Sequence, residues 1–282
     1  MHVFFHIFGK EVPAYGLLIV LGTFIANAIG AILIKKDKRE FDDLLLIEAY
    51  CILFGFAGAK ILYLLVSIRD IDWSRFFEME YFSSIMQGGF VFYGGLIGGL
   101  GGALLASKLH KLDLKYFIKK CIFLIPFIHS FGRIGCFCAG CCYGIPYHGS
   151  CAVVFPEGSF AIPGVELFPV QLVESGMLMV IAMILFVLVL LKKNEFNVEL
   201  YLILYAIVRF ILENYRYDPE RGQFFGFSTS QWISMIMLLV AIVSITMRII
   251  MKKKKPVTVA VSSQTENGEP EEKMKAGNTE EE

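Results

Sequence analysis

Residues 171–191 read QLVESGMLMVIAMILFVLVLL and are followed at once by Lys192 and Lys193. After Glu174 this stretch carries no charge, and it is long enough for the roughly 20 apolar residues that a helix needs to cross a bilayer core. A run of this length is a membrane span, and its basic end belongs on the cytoplasmic side. Working outward, six further runs have the same character: Val12–Ile34, Asp43–Ser67, Gly89–Ser107, Tyr116–Cys136, Val198–Asn214 and Gln231–Ile250. The expected fold is therefore an all-α integral membrane protein of seven transmembrane helices. The least regular span is the fourth, because His129 and Arg133 fall near its end.

The loops supply the orientation. Lys35, Lys36, Lys38 and Arg39 follow the first span, Lys108, Lys111, Lys115, Lys119 and Lys120 flank the third connection, and Lys252–Lys255 follow the last span. The alternate loops hold only Arg69, Arg75, Arg133, Arg216 and Arg221. Positive charge marks cytoplasmic loops, which places the N-terminus outside and the C-terminus in the cytoplasm. No basic stretch or small-residue cleavage site precedes the first span, so that helix is expected to act as the targeting element itself. Residues 1–251 form the membrane domain. Residues 252–282 form a basic anchor, able to touch anionic headgroups or to act as a plain stop-transfer, and a polar tail expected to be disordered.

Composition agrees. Of 282 residues, 56% are hydrophobic and only 18% charged, with a mean hydropathy of +0.63. A soluble domain is nearer one quarter charged, so a cytosolic enzyme, a nucleic-acid binder and a disordered chain are all excluded.

Once depth is assigned, the polar residues gather at the outer side. The third span begins Gln87-Gly88-Gly89 and carries Tyr93, Gly94 and Gly95, followed by glycines suited to close helix packing. The fourth leaves outward through HSFGRIGCFCAGCCYG, holding His129, Gly132, Arg133, Cys136 and Gly144. Arg133 between Gly132 and Gly135 suits capture of a phosphate or carboxylate, or a structural role at the interface. In the sixth span Arg209, Glu213 and Arg216 share one helix face. Charges at such depth mark functional sites, although a purely structural ion pair has the same spacing. Tyr15, Lys60, Gln171, Glu174, Ser230 and Gln231 lie at the same level. The result is a polar chamber that opens outward and has few polar groups below it, which argues against a transporter.

Four of the seven cysteines fall in CFCAGCC, at Cys136, Cys138, Cys141 and Cys142. A structural zinc site usually needs two separated ligand pairs. The second pair is missing, although His148 and Cys151 could complete a set. The Cys138–Cys141 C-x2-C spacing leaves a thiol-redox role open beside disulfides or plain thiols.

These motifs resemble the prolipoprotein diacylglyceryl transferase family over roughly residues 10 to 250. GRIGCFCAGCCYG (Gly132–Gly144) is similar to the family's Gly-Arg-x-Gly-Asn-Phe tract. AYGLL at Tyr15, GAK at Gly58–Lys60, GGFVFYGGLIGG, FPVQLVES around Gln171, and RFILENYR follow in the family's order. Three positions depart. The family's His-Gly-Gly is Tyr93-Gly94-Gly95, its Asn is Cys136, and its His-Pro-x-Gln is Phe168-Pro169-Val170-Gln171.

The resemblance implies an enzyme of the bacterial plasma membrane. It would transfer the diacylglyceryl group of phosphatidylglycerol to the lipobox cysteine of a prolipoprotein signal peptide, with glycerol phosphate leaving. Arg133 and Arg209 would stabilise the departing phosphate, and Glu213 would orient Arg209 or receive the proton. Tyr93 or His129 would serve as base. Tyr15, Gly94, Gly95, Gly132, Cys136, Gly144, Gln171 and Arg216 would bind substrate. Membrane lipids are the other expected partners, and no metal, cofactor or nucleic acid is expected. A related transferase with another acceptor, or a redox protein using Cys136–Cys142, are the alternatives.

Overall fold

In a computed structural model, the described residues are 4–7, 10–217 and 223–253. Arg221, Lys254, Lys255, the polar tail and the side chain of Gln87 lie outside them. The fold is mostly helical, in chain order: β1 (Phe4–Ile7) and β2 (Lys10–Pro13), an antiparallel hairpin; α1 (Ala14–Lys36); α2 (Phe41–Val66); α3 (Met79–Gln87); α4 (Phe92–His110); α5 (Leu114–Cys121); α6 (Leu124–Ala139); the short pair β3 (Val153–Val154) and β4 (Glu166–Leu167); α7 (Val170–Leu190); α8 (Asn197–Leu212), extended by a 3-10 turn at Glu213–Tyr215; the pair β5 (Gln223–Phe224) and β6 (Phe227–Ser228); and α9 (Thr229–Lys253).

By length and composition, four of these helices can cross a membrane: α1, α2, α7 and α9. The bent pair α5–α6 makes a fifth. Helix α4 is also long, at 19 residues, but spends six positions on glycine, and α8 has 16 residues before its 3-10 turn. Their lipid-facing character is plain in the side chains. Phe24, Phe56, Ile97 and Leu239 are all exposed, a pattern that a water-soluble surface does not sustain.

The fourth span is not one helix. Between α5 and α6 the chain bends by 54°, because Pro126 lacks an N–H and its ring crowds the carbonyl four residues back, at Ile122. Helix α5 is amphipathic rather than buried. Asp113 caps it by accepting from the Tyr116 N–H, Phe117 and Cys121 turn inward, and Lys119 and Lys120 close its last turn. The apolar residues of the pair lie mostly in α6, and only the two helices together are long and apolar enough to cross a membrane.

Two kinds of packing organise the bundle. At the lysine-bearing end, Leu33 and Ile34 of α1, Leu44 and Ile47 of α2, Ala103 and Ala106 of α4, Phe117 of α5, and Leu185 and Val189 of α7 form one buried core. Helices α2 and α4 instead touch backbone to backbone. A Cβ on Gly98 would meet the Phe54 carbonyl, and one on Gly94 would meet the Gly58 carbonyl. Without a hydrophobic drive in lipid, this close approach is what joins the two helices. Gly98→Leu is expected to push them apart at a cost of about 1–3 kcal/mol, read as a lower unfolding temperature in detergent.

Beyond the same end, Asp37 accepts from Lys120 at 2.7 Å and from the Tyr116 hydroxyl at 2.9 Å. Lys120 is the main reason that its carboxyl is held below the usual value. A depressed carboxylate stabilises the fold above its unfolded value and loses that contribution as pH falls through the folded one. Asp37→Asn should therefore unfold earlier than the parent at pH 7, and the gap should close as pH falls below about 3.9.

Candidate active site

The functional residues meet at the opposite end of the bundle, where α1, α7 and α9 begin and α6 and α8 finish. Glu174, one turn into α7, is fully buried. Its Oε2 lies 3.2 Å from Arg133 Nε, 3.7 Å from Arg209 Nη1 and 4.0 Å from Arg216 Nη1. Arg209 Nη2 reaches Glu213 Oε2 at 2.8 Å and donates to Ser230 Oγ at 2.9 Å. Arg216 Nε is 4.0 Å from the same Glu213 oxygen, and Ser228 Oγ donates to Glu213 Oε1 at 2.9 Å. Three guanidiniums against two carboxylates leave one net positive charge in a low-dielectric setting.

That cluster is paired in charge but not saturated in hydrogen bonds. Among the described residues, Arg133 Nε, Arg209 Nη1 and both Glu174 oxygens are buried without an aligned hydrogen-bond partner. Buried polar groups are normally hydrogen-bonded, whereas here donors of two arginines and acceptors of Glu174 and Glu213 stand within ion-pair distance of one another without aligned hydrogen bonds. Glu174, noted in the sequence only as one of several polar groups, is the hub. The signal that could have singled it out is a carboxylate placed one turn inside an otherwise uncharged span.

The other expected residues distribute as follows. Tyr15 lies against Gly135, where a Cβ would approach its Cα to 3.0 Å. His129, one turn before Arg133, meets the Tyr205 ring edge-on at 5.5 Å. Gly132 faces Ile19 of α1. Gln171 is buried and donates its amide to the Cys141 carbonyl at 2.9 Å. Tyr93 begins α4, its ring 5.7 Å from Phe92, while Gly94 and Gly95 sit in the α2–α4 contact. The fold thus gathers Arg133, Arg209, Glu213 and Arg216 around Glu174, and holds Tyr93 on the α2–α4 pair. Lys60 donates to the carbonyls of Ile85, Gly88 and Gly89 where α3 ends.

Residues 141–147 form the roof of the site. Gly144 bridges to Arg216, Ile145 donates to the Tyr215 carbonyl, and Tyr217 donates to that of Tyr143. A Cβ on Gly144 would strike the Phe168 carbonyl and lie 2.8 Å from that of Tyr215. Only glycine lets the three strands of chain run so close. Gly144→Ala is expected to force the chain apart at the Phe168 and Tyr215 carbonyls, lowering the unfolding temperature by the equivalent of about 1–3 kcal/mol, and to shift Arg216 enough to lower turnover about 100-fold.

The cysteine tract folds back on itself here. Gly140 adopts a left-handed conformation (φ 73°), and its N–H and that of Cys141 return to the Cys136 carbonyl. Cys142 is also left-handed, at φ 57°, and half-buried. The sulfurs of Cys136, Cys141 and Cys142 lie within 4.8 Å of one another. The neighbouring Cys136 and Cys141 sulfurs, with Arg216 and Arg133 behind them, hold the Cys142 thiol below its ordinary value. His148 pairs with Glu166 at 2.8 Å rather than with the sulfurs, and Cys151 is exposed.

Residues 2–247 match the prolipoprotein diacylglyceryl transferase family. The chain belongs to that family. It is 34% identical over 238 residues to phosphatidylglycerol–prolipoprotein diacylglyceryl transferase 2 of Clostridium perfringens, which covers 83% of this chain and 90% of the relative. It is 32% identical over 243 residues to the enzyme of Clostridium tetani, covering 85% and 94%. The phosphatidylglycerol–prolipoprotein diacylglyceryl transferase of Clostridioides difficile is 30% identical over 77% of this chain and 83% of its own length. Family membership makes the chain a membrane transferase, and a thiol-redox protein is not favoured.

Proposed function

We propose that the chain transfers the diacylglyceryl group of phosphatidylglycerol to the thiol of a lipobox cysteine in a prolipoprotein signal peptide, at the outer face of the bacterial plasma membrane. The observation that carries the proposal is the Glu174-centred cluster, with one net positive charge and guanidinium donors without aligned hydrogen bonds. A phosphodiester brings one negative charge and several acceptor oxygens, which is the complement of that site.

The topology that goes with this reading has seven spans: α1, α2, α4, the bent α5–α6 pair, α7, α8 and α9, with the N-terminus outside. Lysines gather at the core end, and arginines and aromatics gather at the site end, where Trp73, Phe77 and Phe160 are exposed as interfacial residues often are. The membrane domain covers residues 1–251.

The bond broken joins a glycerol carbon to a phosphate oxygen, so negative charge grows on the departing phosphate. Arg133 and Arg209, held in advance by Glu174, Glu213 and Ser230, would stabilise that charge without reorganisation, which is the condition for strong electrostatic stabilisation. Glu213 and Ser230 fix the Arg209 fork. Gly144 and Gln171 hold the roof over the headgroup, while Tyr15, Gly132 and Cys136 border the approach from α1. His129 or Tyr93 receives the thiol proton.

The test uses purified protein in detergent with phosphatidylglycerol and a synthetic lipobox peptide. A diacylglyceryl mass increment on the peptide cysteine, together with released glycerol phosphate, is the expected result. Glycerol phosphate without peptide modification would instead mean another acceptor.

A further inference from the structure

Three sulfurs converge beside the arginine cluster, and nothing in the charge network described above uses them. Cys136 is buried at the end of α6, while Cys141 and Cys142 are half-buried in the roof loop. All three Sγ atoms lie within 4.8 Å of each other. A tetrahedral zinc ion, with bonds of about 2.3 Å, sets its sulfurs about 3.8 Å apart, so modest side-chain rotation closes the triangle on an ion. A disulfide fits less well. Cys141 and Cys142 are adjacent, and consecutive Cα atoms stand about 3.8 Å apart, short of the usual range for a bridge of 4.4–6.8 Å. Any bridge must therefore use Cys136 and leave one thiol over, whereas a metal uses all three.

We propose that Cys136, Cys141 and Cys142 bind a thiophilic d10 ion of the zinc class, whose open fourth position takes the acceptor thiol of the transfer reaction. The inference rests on the proposed transferase activity. Three protein ligands with one vacant position is the arrangement of catalytic rather than structural zinc. A thiol that coordinates such an ion is deprotonated outright. Coordination to such an ion favours the thiolate directly, as a second means beside the Tyr93 or His129 base.

The step balances without an oxidant. The acceptor S–H gives its proton, on coordination, to the base His129 or Tyr93. The sulfur lone pair forms the S–C bond to the glycerol carbon, the C–O bond to phosphate breaks, and glycerol phosphate leaves with that electron pair. Four thiolates on a divalent ion carry two negative charges, and Arg133 and Arg216, whose charges both reach Cys142, offset them. The roof loop that carries two of the ligands is tied to Arg216 through Gly144 and to α7 through Gln171, so acceptor sulfur and donor phosphate would be held by one rigid unit.

The experiment measures zinc by plasma mass spectrometry and peptide lipidation on the same preparations of full-length protein. About one zinc per chain is expected, lost in the Cys141→Ser/Cys142→Ser double variant and kept in Cys138→Ser. Stripping the ion with a chelator should lower lipidation about 100-fold, and added zinc should restore it while the unfolding temperature shows that the stripped protein is still folded. The residual activity should rise with pH toward the free-thiol value of about 8.5. An active enzyme that carries no zinc, or whose activity ignores stripping, overturns this inference alone. A zinc-loaded protein that modifies no peptide under any condition overturns the transferase reading and the acceptor role with it.

Discussion

Glu174→Gln is expected to lower the stability of the folded protein by about 3–5 kcal/mol, the usual cost of leaving buried charge without its partner. The carboxylate faces Arg133, Arg209 and Arg216 at once and is fully enclosed. With glutamine there, three guanidiniums face only Glu213, and the net charge of the cluster rises from one to two. Glutamine keeps the shape of the side chain, so a packing defect cannot account for the loss. Substrate should return part of the stability, because a phosphodiester supplies the missing negative charge and binding to the folded state alone adds stability by mass action. The check is thermal unfolding of parent and variant in a zwitterionic detergent, with and without phosphatidylglycerol. A larger upward shift with lipid in the variant than in the parent is the expected outcome. A variant as stable as the parent without lipid would mean that Glu174 is not the hub.

How far this site could be read from the chain alone differs from residue to residue. The run 175–191 was legible because an uncharged stretch of that length admits few alternatives to a buried helix, and α7 covers Val170–Leu190 accordingly. Arg209 and Glu213 lie one turn apart as the i, i+4 spacing requires, but Arg216 sits past the helix in extended backbone and reaches the cluster through the 3-10 turn and its bridge to Gly144, not by a shared helix face. The fourth span misled because two signals overlapped there. Lys119 and Lys120 carry the basic loop signal although they lie inside the apolar run, and Pro126 divides the segment into an amphipathic helix and a more apolar one. Glu174 was visible as a residue but not as a hub, because its three partners come from α6, α8 and the turn after α8, and only tertiary packing unites them. The cysteines were harder still. Linear spacing pairs Cys138 with Cys141, but the left-handed turn at Gly140 reverses the chain and sets Cys141 and Cys142 against Cys136 instead.

Arg133→Ala should reduce peptide lipidation by about 100- to 1,000-fold, the range for loss of one preorganised donor to a developing anion, while the protein stays folded. The asymmetry with Glu174→Gln follows from the charges. Removing Arg133 leaves two arginines against two carboxylates, so the cluster becomes neutral rather than overcharged and its stability is largely kept. Glu174 retains Arg209 at 3.7 Å and Arg216 at 4.0 Å. The lost function should fall mainly on turnover, because negative charge on the phosphate increases as the C–O bond breaks, and only an interaction that strengthens on the way to the transition state changes that step. Arg133→Lys should recover only a small part, since an ammonium restores the charge but not the planar fork. The double variant Arg133→Ala/Arg209→Ala should be less impaired than the product of the single effects, because both donors serve one departing phosphate and act as a unit. The measurements are initial rates of peptide modification at saturating lipid and the concentration dependence on lipid. A loss confined to the apparent affinity, with turnover intact, would assign Arg133 to headgroup binding and leave the stabilisation of the leaving phosphate to Arg209.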